Sequence, residues 1–452
     1  MLLALALCSS CDWGRNAGSK SPSAVTSAVG GEHNRVGFFT PRGIPPGLVG
    51  KVQFGMIAGY SPQQVEESLN LVEGSVTKVN IDVGPTVARV VRPGEVRMEY
   101  VRPDGRSAVK AFRPLAVTKL RALPDDRQLK ETLAPFIDAM KKHPANVGTI
   151  FLADEPYLNG ISKRELERAG RAVRAQLNEA GLAHVKLGVI FASAMFHREF
   201  ARFMEMQAGR YVEGIDTVYR RDEGLLDSAD SSQRAMDFRS WVSVIKSGRL
   251  STYDTAGNMY SGGGVPDGFE VFGFDFYLST ILLDGVHEHT LEWFAENTAV
   301  PSCAQFKDKP VSKIRSELSF FGGAPNLNEG PRSDERILDA MYNCRMGATT
   351  EMLDAAVSKS HAELLMISES SSNGVLSFGP DAKPMAQQAT NAVEARALDE
   401  VVRAERFYTP QRFRAGLMFF TYQDEYDDSI DLKIAGAQGM PRVSRRILDL
   451  AR

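Results

Sequence analysis

Short runs dense in Val, Ile, Leu, Phe and Met recur along the chain, and most are separated by longer stretches whose apolar residues return every three or four positions. Eight runs read as strands: "KVQFGMIAG" (51–59), "TKVNIDVG" (77–84), "FRPLAVTKL" (112–120), "VGTIFLADE" (147–155), "VKLGVIFAS" (185–193), "FEVFGFDFYLS" (269–279), "AELLMISES" (362–370) and "GLMFFTYQ" (416–423). Most are nearly continuous in apolar residues rather than alternating. That is the pattern of strands covered on both faces, as in a parallel sheet.

The intervening stretches carry helical spacing. "PQQVEESLNLV" (62–72), "DRQLKETLAPFIDAMKKH" (126–143) and "SKRELERAGRAVRAQLNEAG" (162–181) are the clearest. In the third, Ser162 and Glu165 form a capping-box pattern and Gly181 is placed as a C-terminal stop. Further helices are expected at 289–299, 333–346, 385–407 and 442–451. Strand followed by helix through the whole chain predicts an α/β fold, and eight such units predict a (β/α)8 TIM barrel. "YVEGIDTVY" (211–219) and "IRSELSFFGG" (314–323) are assigned to long insertions after strands five and six. A doubly wound open sheet is the alternative. It is disfavoured as a nucleotide-binding fold because no GxGxxG follows the first strand and no GxxxxGK[ST] occurs.

Composition narrows the function. Apolar residues make 43% and charged residues 24% of 452, enough to fold most of the chain around a core. The formal net charge of -3, without a long basic run, gives no reason to expect nucleic acid as a partner. No apolar run of 18 residues is present to cross a membrane. The start, "MLLALALCSSC", is a short apolar run ending in small residues and cysteine, and it is similar to the end of a bacterial lipoprotein signal. Residues 1–35 are therefore expected to be a signal or lipoprotein-like segment and a Ser/Gly/Ala-rich tether. Cys8 or Cys11 would carry the lipid, and 36–452 would be the barrel domain of an exported, envelope-anchored protein. In such an oxidising compartment Cys303 and Cys344 are available as a disulfide pair, although spacing alone does not join them.

Two strand ends carry the candidate chemistry. The fourth run closes on Asp154-Glu155-Pro156, and the seventh closes on Glu369 in "LLMISES". Barrel enzymes work at the C-terminal ends of their strands, and strands four and seven lie nearly opposite. Two carboxyl groups facing each other there are what glycoside hydrolysis needs, one as proton donor and one as nucleophile or base.

On these residues the chain resembles the clan-A glycoside hydrolases, (β/α)8 barrels with an Asn-Glu-Pro-like motif ending strand four and a glutamate ending strand seven. The resemblance implies Glu155 as acid/base and Glu369 as nucleophile of a retaining mechanism, with Tyr277 hydrogen-bonding the nucleophile from the end of strand six. It implies a carbohydrate substrate, here a surface or envelope polysaccharide, and neither a metal nor an organic cofactor. Asp154 stands where that group has asparagine, and Tyr422 and Gln423 stand where it has a strand-eight tryptophan; all three are taken as substrate-binding positions. The Asp-Glu pair is also similar to the substrate-assisted N-acetylhexosaminidases, in which Asp154 would orient the substrate's acetamido group. A non-catalytic glycan-binding barrel is the reading from outside enzymology.

Other residues are given plainer roles. His287 and His289 do not share a helix face, so the His-Glu-His triplet is read as a solvated helix start rather than a metal site. Trp241, Tyr253 and Tyr260 either line a cleft or pack the insertion that holds them. Lys119 and Arg121 are read as a salt-bridged rim, with contact to an acidic sugar as the alternative.

Overall fold

The apolar runs become the staves of a closed parallel barrel. The computed structural model describes residues 34–92, 96–101, 107–112, 120–156, 161, 163–192, 251–252, 265–275, 301–306, 335–372, 390–411, 413–427 and 432–452. The staves are β1 (Val36–Phe39), β2 (Phe54–Ala58), β3 (Lys78–Asp82), β4 (Val147–Asp154), β5 (Lys186–Ala192), β6 (Val271–Asp275), β7 (Glu363–Glu369) and β8 (Gly416–Phe420). Each pairs in parallel with its neighbours, and β1 closes the ring against β8. This is the (β/α)8 architecture that the alternation of runs predicts.

The eighth stave is not the one expected. Residues 112–120 supply none; instead Ser107–Phe112 pairs antiparallel with Val96–Val101 in a three-stranded sheet completed by Ser251–Thr252. Residues 113–119 lie outside the described residues. The missing stave is β1, four residues long, immediately after the Ser/Gly/Ala-rich segment. The error at one end cancels the error at the other, so 147–154 is still the fourth stave and 363–369 the seventh.

Helices pack outside the ring: α1 (Pro62–Val72), α2 (Gly84–Val87), α3 (Asp126–Lys142), α4 (Lys163–Glu179), α5 (Glu335–Ser360), α6 (Thr390–Gln411) and α7 (Pro441–Leu450). Their ends follow local chemistry. Ser61 caps α1 by accepting from the Gln64 amide at 3.2 Å, and Asp125 caps α3 by accepting from the Gln128 amide at 2.8 Å. Helix α4 stops as predicted, with Gly181 at φ +75° and the Leu182 amide returning to the Leu177 carbonyl at 2.8 Å.

Side chains alternate across the staves and divide the core in two. Val79 and Ile81 of β3, Leu187, Val189 and Phe191 of β5, and Leu364 and Met366 of β7 belong to the outer layer beneath the helices. Phe54, Met56, Phe151, Ile190, Val271, Leu365, Ile367 and Met418 fill the barrel itself. Glycines on the inner face make room for the large ones. A Cβ on Gly188 would stand 2.6 Å from the Phe151 ring, and one on Gly273 would stand 2.8 Å from Ile190.

Candidate active site

Alternation fixes which residues crown the inner face at the C-terminal end of the barrel. On β3, Val79 and Ile81 face outward, so Asn80 and Asp82 face inward. On β6, Phe272 and Phe274 face outward, which leaves Asp275 with Val271 on the inner side. On β7, Leu365 and Ile367 are inside, and Glu369 continues their series. Three staves therefore end on an inward carboxylate.

Strand β4 reaches the same result through an irregularity. Phe151 is inside, but Leu152 and Ala153 both belong to the outer layer. Between Phe151 paired with Gly188 and Asp154 paired with Ile190, β4 spends one residue more than β5. That bulge restores Asp154 to the inner side, where strict alternation would have put Ala153. A second extra residue lies between Val147 and Ile150 against β3. Bulges of this kind re-aim side chains beside functional sites. Directly after, Glu155 has φ +44°, and its amide donates to the Ile190 carbonyl at 2.9 Å. A non-glycine residue in the left-handed region costs about 1–2 kcal/mol, a strain found where the surroundings hold a residue for use.

The charges interact. Asp82, 5% exposed, has its carboxyl raised well above the ordinary aspartate range by burial and then by the Asp154 charge, while the Gly84 N–H and the Arg121 guanidinium pull it back. Asp154 is raised by the protein packed around it, with Arg121 and the Glu155 amide opposing. It nevertheless keeps solvent-accessible surface, as does Glu155. Both thus stand on the floor of an opening: water reaches them, but too little of it to solvate a charge fully. Glu155 is lifted furthest, to about 8, by burial and by Asp154.

Around this core lies a rim. Tyr60, after β2, is 61% exposed, and its hydroxyl is raised by burial and by the charges of Glu425 and Asp82. Glu425 is raised to about 7 by burial, with Arg42 opposing. Gln64 ties the rim together, donating to the Pro41 carbonyl at 2.5 Å and accepting from the Tyr60 amide at 3.2 Å.

The expected site residues fall into three groups. Asp154, Glu155 and Glu369 stand at the ends of staves four and seven. Glu369 is 1% exposed, and its successors Ser370, Ser371 and Ser372 are buried with it, tied by Ser370 to the Phe420 carbonyl at 2.7 Å and by Ser372 to Ala435 at 2.9 Å. Tyr422 and Gln423 serve the framework. The Tyr422 ring meets Phe38 edge-on at 5.0 Å, and the Gln423 amide accepts from Arg42 N at 3.1 Å and donates to the Gly43 carbonyl at 3.2 Å. Tyr277, Cys8, Cys11, Lys119, Trp241, Tyr253, Tyr260, His287 and His289 lie outside the described residues. Cys303 and Cys344 are joined in a disulfide.

Asp82, Asp275, Tyr60 and Glu425 were not singled out from the sequence. Asp82 and Asp275 carried a readable signal, since "NIDVG" and "FGFDF" put an acid at the end of an apolar run as "LADE" does. Arg121, read as a rim residue, instead faces Asp82 and Asp154. Among the described residues, no group of three or more His, Cys, Asp or Glu is arranged to hold a metal ion.

No family model and no curated protein matches the chain. Among solved structures it is similar to one of two plant beta-glucan endohydrolases described as having distinct substrate specificities. That likeness has 12% sequence identity, covers 90% of this chain and 94% of that chain, and has a TM-score of 0.34. So loose a likeness carries no argument about chemistry; the (β/α)8 fold stands on the closed order of the eight parallel staves.

Proposed function

We propose that the chain is a glycoside hydrolase acting on a surface or envelope polysaccharide, with Glu155 as acid/base and Glu369 as nucleophile. The observation that carries this is Glu155 itself. It is a solvent-accessible carboxyl at the end of the fourth stave, kept protonated near neutral pH by burial and by the adjacent Asp154 charge. A proton donor to a departing sugar oxygen needs that combination of access and raised pKa. Glu369 supports the assignment by its place, on the inner side of the seventh stave.

In this mechanism Glu155 gives its proton to the glycosidic oxygen while Glu369 attacks the anomeric carbon and forms a glycosyl-enzyme ester. Glu155, now a carboxylate, takes a proton from water, and that water releases the sugar from Glu369. A second route is favoured by one observation, the direct coupling of Asp154 with Glu155. There an N-acetylated substrate supplies its own acetamido oxygen as nucleophile, Asp154 stabilises it and Glu369 only binds.

A hydrolysis panel of polysaccharides and aryl glycosides, run on the full chain beside Glu155→Gln, Glu369→Gln and Asp154→Asn, tests both routes. Loss in the two glutamate variants is the expected result. Loss in Glu155→Gln and Asp154→Asn with Glu369→Gln still active establishes the acetamido route. Glycan binding without hydrolysis across the panel contradicts catalysis and leaves a binding barrel.

Export to the envelope with a lipid on Cys8 or Cys11 is part of the same proposal. The Cys303–Cys344 disulfide supports it, since such bonds persist in oxidising compartments. Metabolic labelling with a palmitate analogue is expected to mark the wild type and to be lost from Cys8→Ala or Cys11→Ala; labelling that survives both changes refutes the anchor.

A further inference from the structure

The proposed cleavage mechanism gives no task to Asp82, although this is the most tightly held carboxylate at the mouth. It ends β3, the stave next to β4, and lies in register with Phe151, just before the bulge that aims Asp154. Its Oδ1 accepts from the Gly84 amide at 2.9 Å. Gly84 wedges the two acids together. The point where its Cβ would stand is 2.9 Å from Asp82 Oδ1, 3.4 Å from Ala153 Cα and 3.6 Å from Asp154 N. A side chain at 84 would have to displace the carboxylate or the peptide that carries Asp154. Glycine is the residue that lets them approach.

A carboxylate this deeply buried beside another destabilises the fold unless one of the two holds a proton. The groups facing Asp82 are Asp154 on β4, Arg121 on the Leu120–Ala122 strand, Tyr60 after β2 and the Gly84 N–H. Arg121 faces Asp154 as well, so one cation serves two acids. A single guanidinium beside two carboxyl groups balances one negative charge, and the second acid is neutral as long as water stays out.

We propose that Asp82 is a positioning residue that fixes the charge of Asp154 and, through Asp154, the proton on Glu155. Asp82, pinned and less exposed, retains the shared proton. Asp154, nearer water, remains the anion. That anion keeps Glu155 protonated until a glycosidic oxygen takes the proton. When Glu155 becomes a carboxylate, Asp82 is still neutral, so the mouth gains one charge rather than adding it to two. The role rests on the glycosidase reading only in its last step, because the coupling between Asp82 and Asp154 exists without substrate.

The test is a carboxyl ¹³C NMR titration of the full chain. Asp82→Asn keeps an oxygen to accept from Gly84 but removes the ionisation. Asp154 is expected to titrate about one pH unit lower in Asp82→Asn than in the wild type. Reciprocally, Asp82 should titrate lower in Asp154→Asn, which secures the measurement if the first variant fails to fold. An Asp154 titration unmoved in folded Asp82→Asn, or an Asp82 titration unmoved in Asp154→Asn, overturns the proposal. On a cleaved substrate, the acidic limb of kcat/KM should shift downward in Asp82→Asn by the same interval. Coupled titrations without hydrolysis of any glycoside would remove the cleavage reading and leave the Asp82–Asp154 link standing. Hydrolysis with uncoupled titrations would do the reverse.

Discussion

At the scale of single residues, the site is built from groups that the fold would be more stable without. Asp82, Asp154, Glu155 and Glu425 all have carboxyl pKa values raised by burial. A raised carboxyl binds its proton more tightly in the folded than in the unfolded chain. Its contribution is therefore most favourable below the unfolded pKa, and it is lost as pH rises through the folded one. For Glu155 that window runs from its model value of 4.5 to about 8. The melting temperature is expected to fall as pH rises from about 5 to about 8, and Asp82→Asn should flatten the fall, gaining about 2 °C or more at pH 8 and nothing near pH 4. Differential scanning fluorimetry across pH reads this directly; identical profiles for the two proteins would contradict the burial of an ionisable Asp82. Gly84→Ala makes a sharper local probe. A methyl 2.9 Å from Asp82 Oδ1 cannot be placed without movement, so activity should drop at least tenfold while the far side of the barrel keeps its hydrogen-exchange protection.

At the scale of elements, legibility followed run length and environment. Staves four and seven were readable because each is a long apolar run closed by an acid, and their C-terminal ends were correctly placed. Val36–Phe39 was not, because four residues give too short a run for periodicity to stand out beside a polar segment. The segment 112–120 looked like a stave because apolar runs are alike whether they pair in the barrel or in a side sheet. The bulges on β4 left no mark on the sequence at all. They come from fitting one stave between two neighbours, as does the approach of Arg121 and Glu425 to acids far from them in the chain. The inner glycines are equally tertiary in origin, and they give this scale its prediction. Gly188→Ala puts a methyl 2.6 Å from the Phe151 ring and should destabilise the barrel by about 1–3 kcal/mol, seen as a lower urea midpoint. An unchanged midpoint would mean that Phe151 has room to yield.

On the scale of the whole molecule, the barrel's seventh stave is backed by two long helices that carry their own fastenings. Arg403 of α6, 4% exposed, donates to Asp339 of α5 and to Glu400, each at 2.8 Å. Beneath them the Tyr342 hydroxyl lies 3.5 Å from Ser368, the residue before Glu369. The Cys303–Cys344 disulfide adds a covalent tie from the Pro301–Phe306 turn to α5, closing a separation of 41 residues. A loop of that size constrains the unfolded chain enough to contribute about 2–4 kcal/mol. Cys303→Ser with Cys344→Ser should therefore lower the melting temperature and make wild-type and reduced proteins alike; a difference that persists under reductant would assign the loss to packing instead.

The central claim is that Glu155 delivers the proton that lets the sugar depart, and its most direct test compares leaving groups. For Glu155→Gln, kcat/KM should be measured on a cleaved oligosaccharide and on a dinitrophenyl glycoside of the same sugar, whose leaving group departs without a proton. The account predicts a loss of about 10²–10⁴-fold on the oligosaccharide and little change on the dinitrophenyl glycoside. Equal losses on both, or no loss on either, would contradict it.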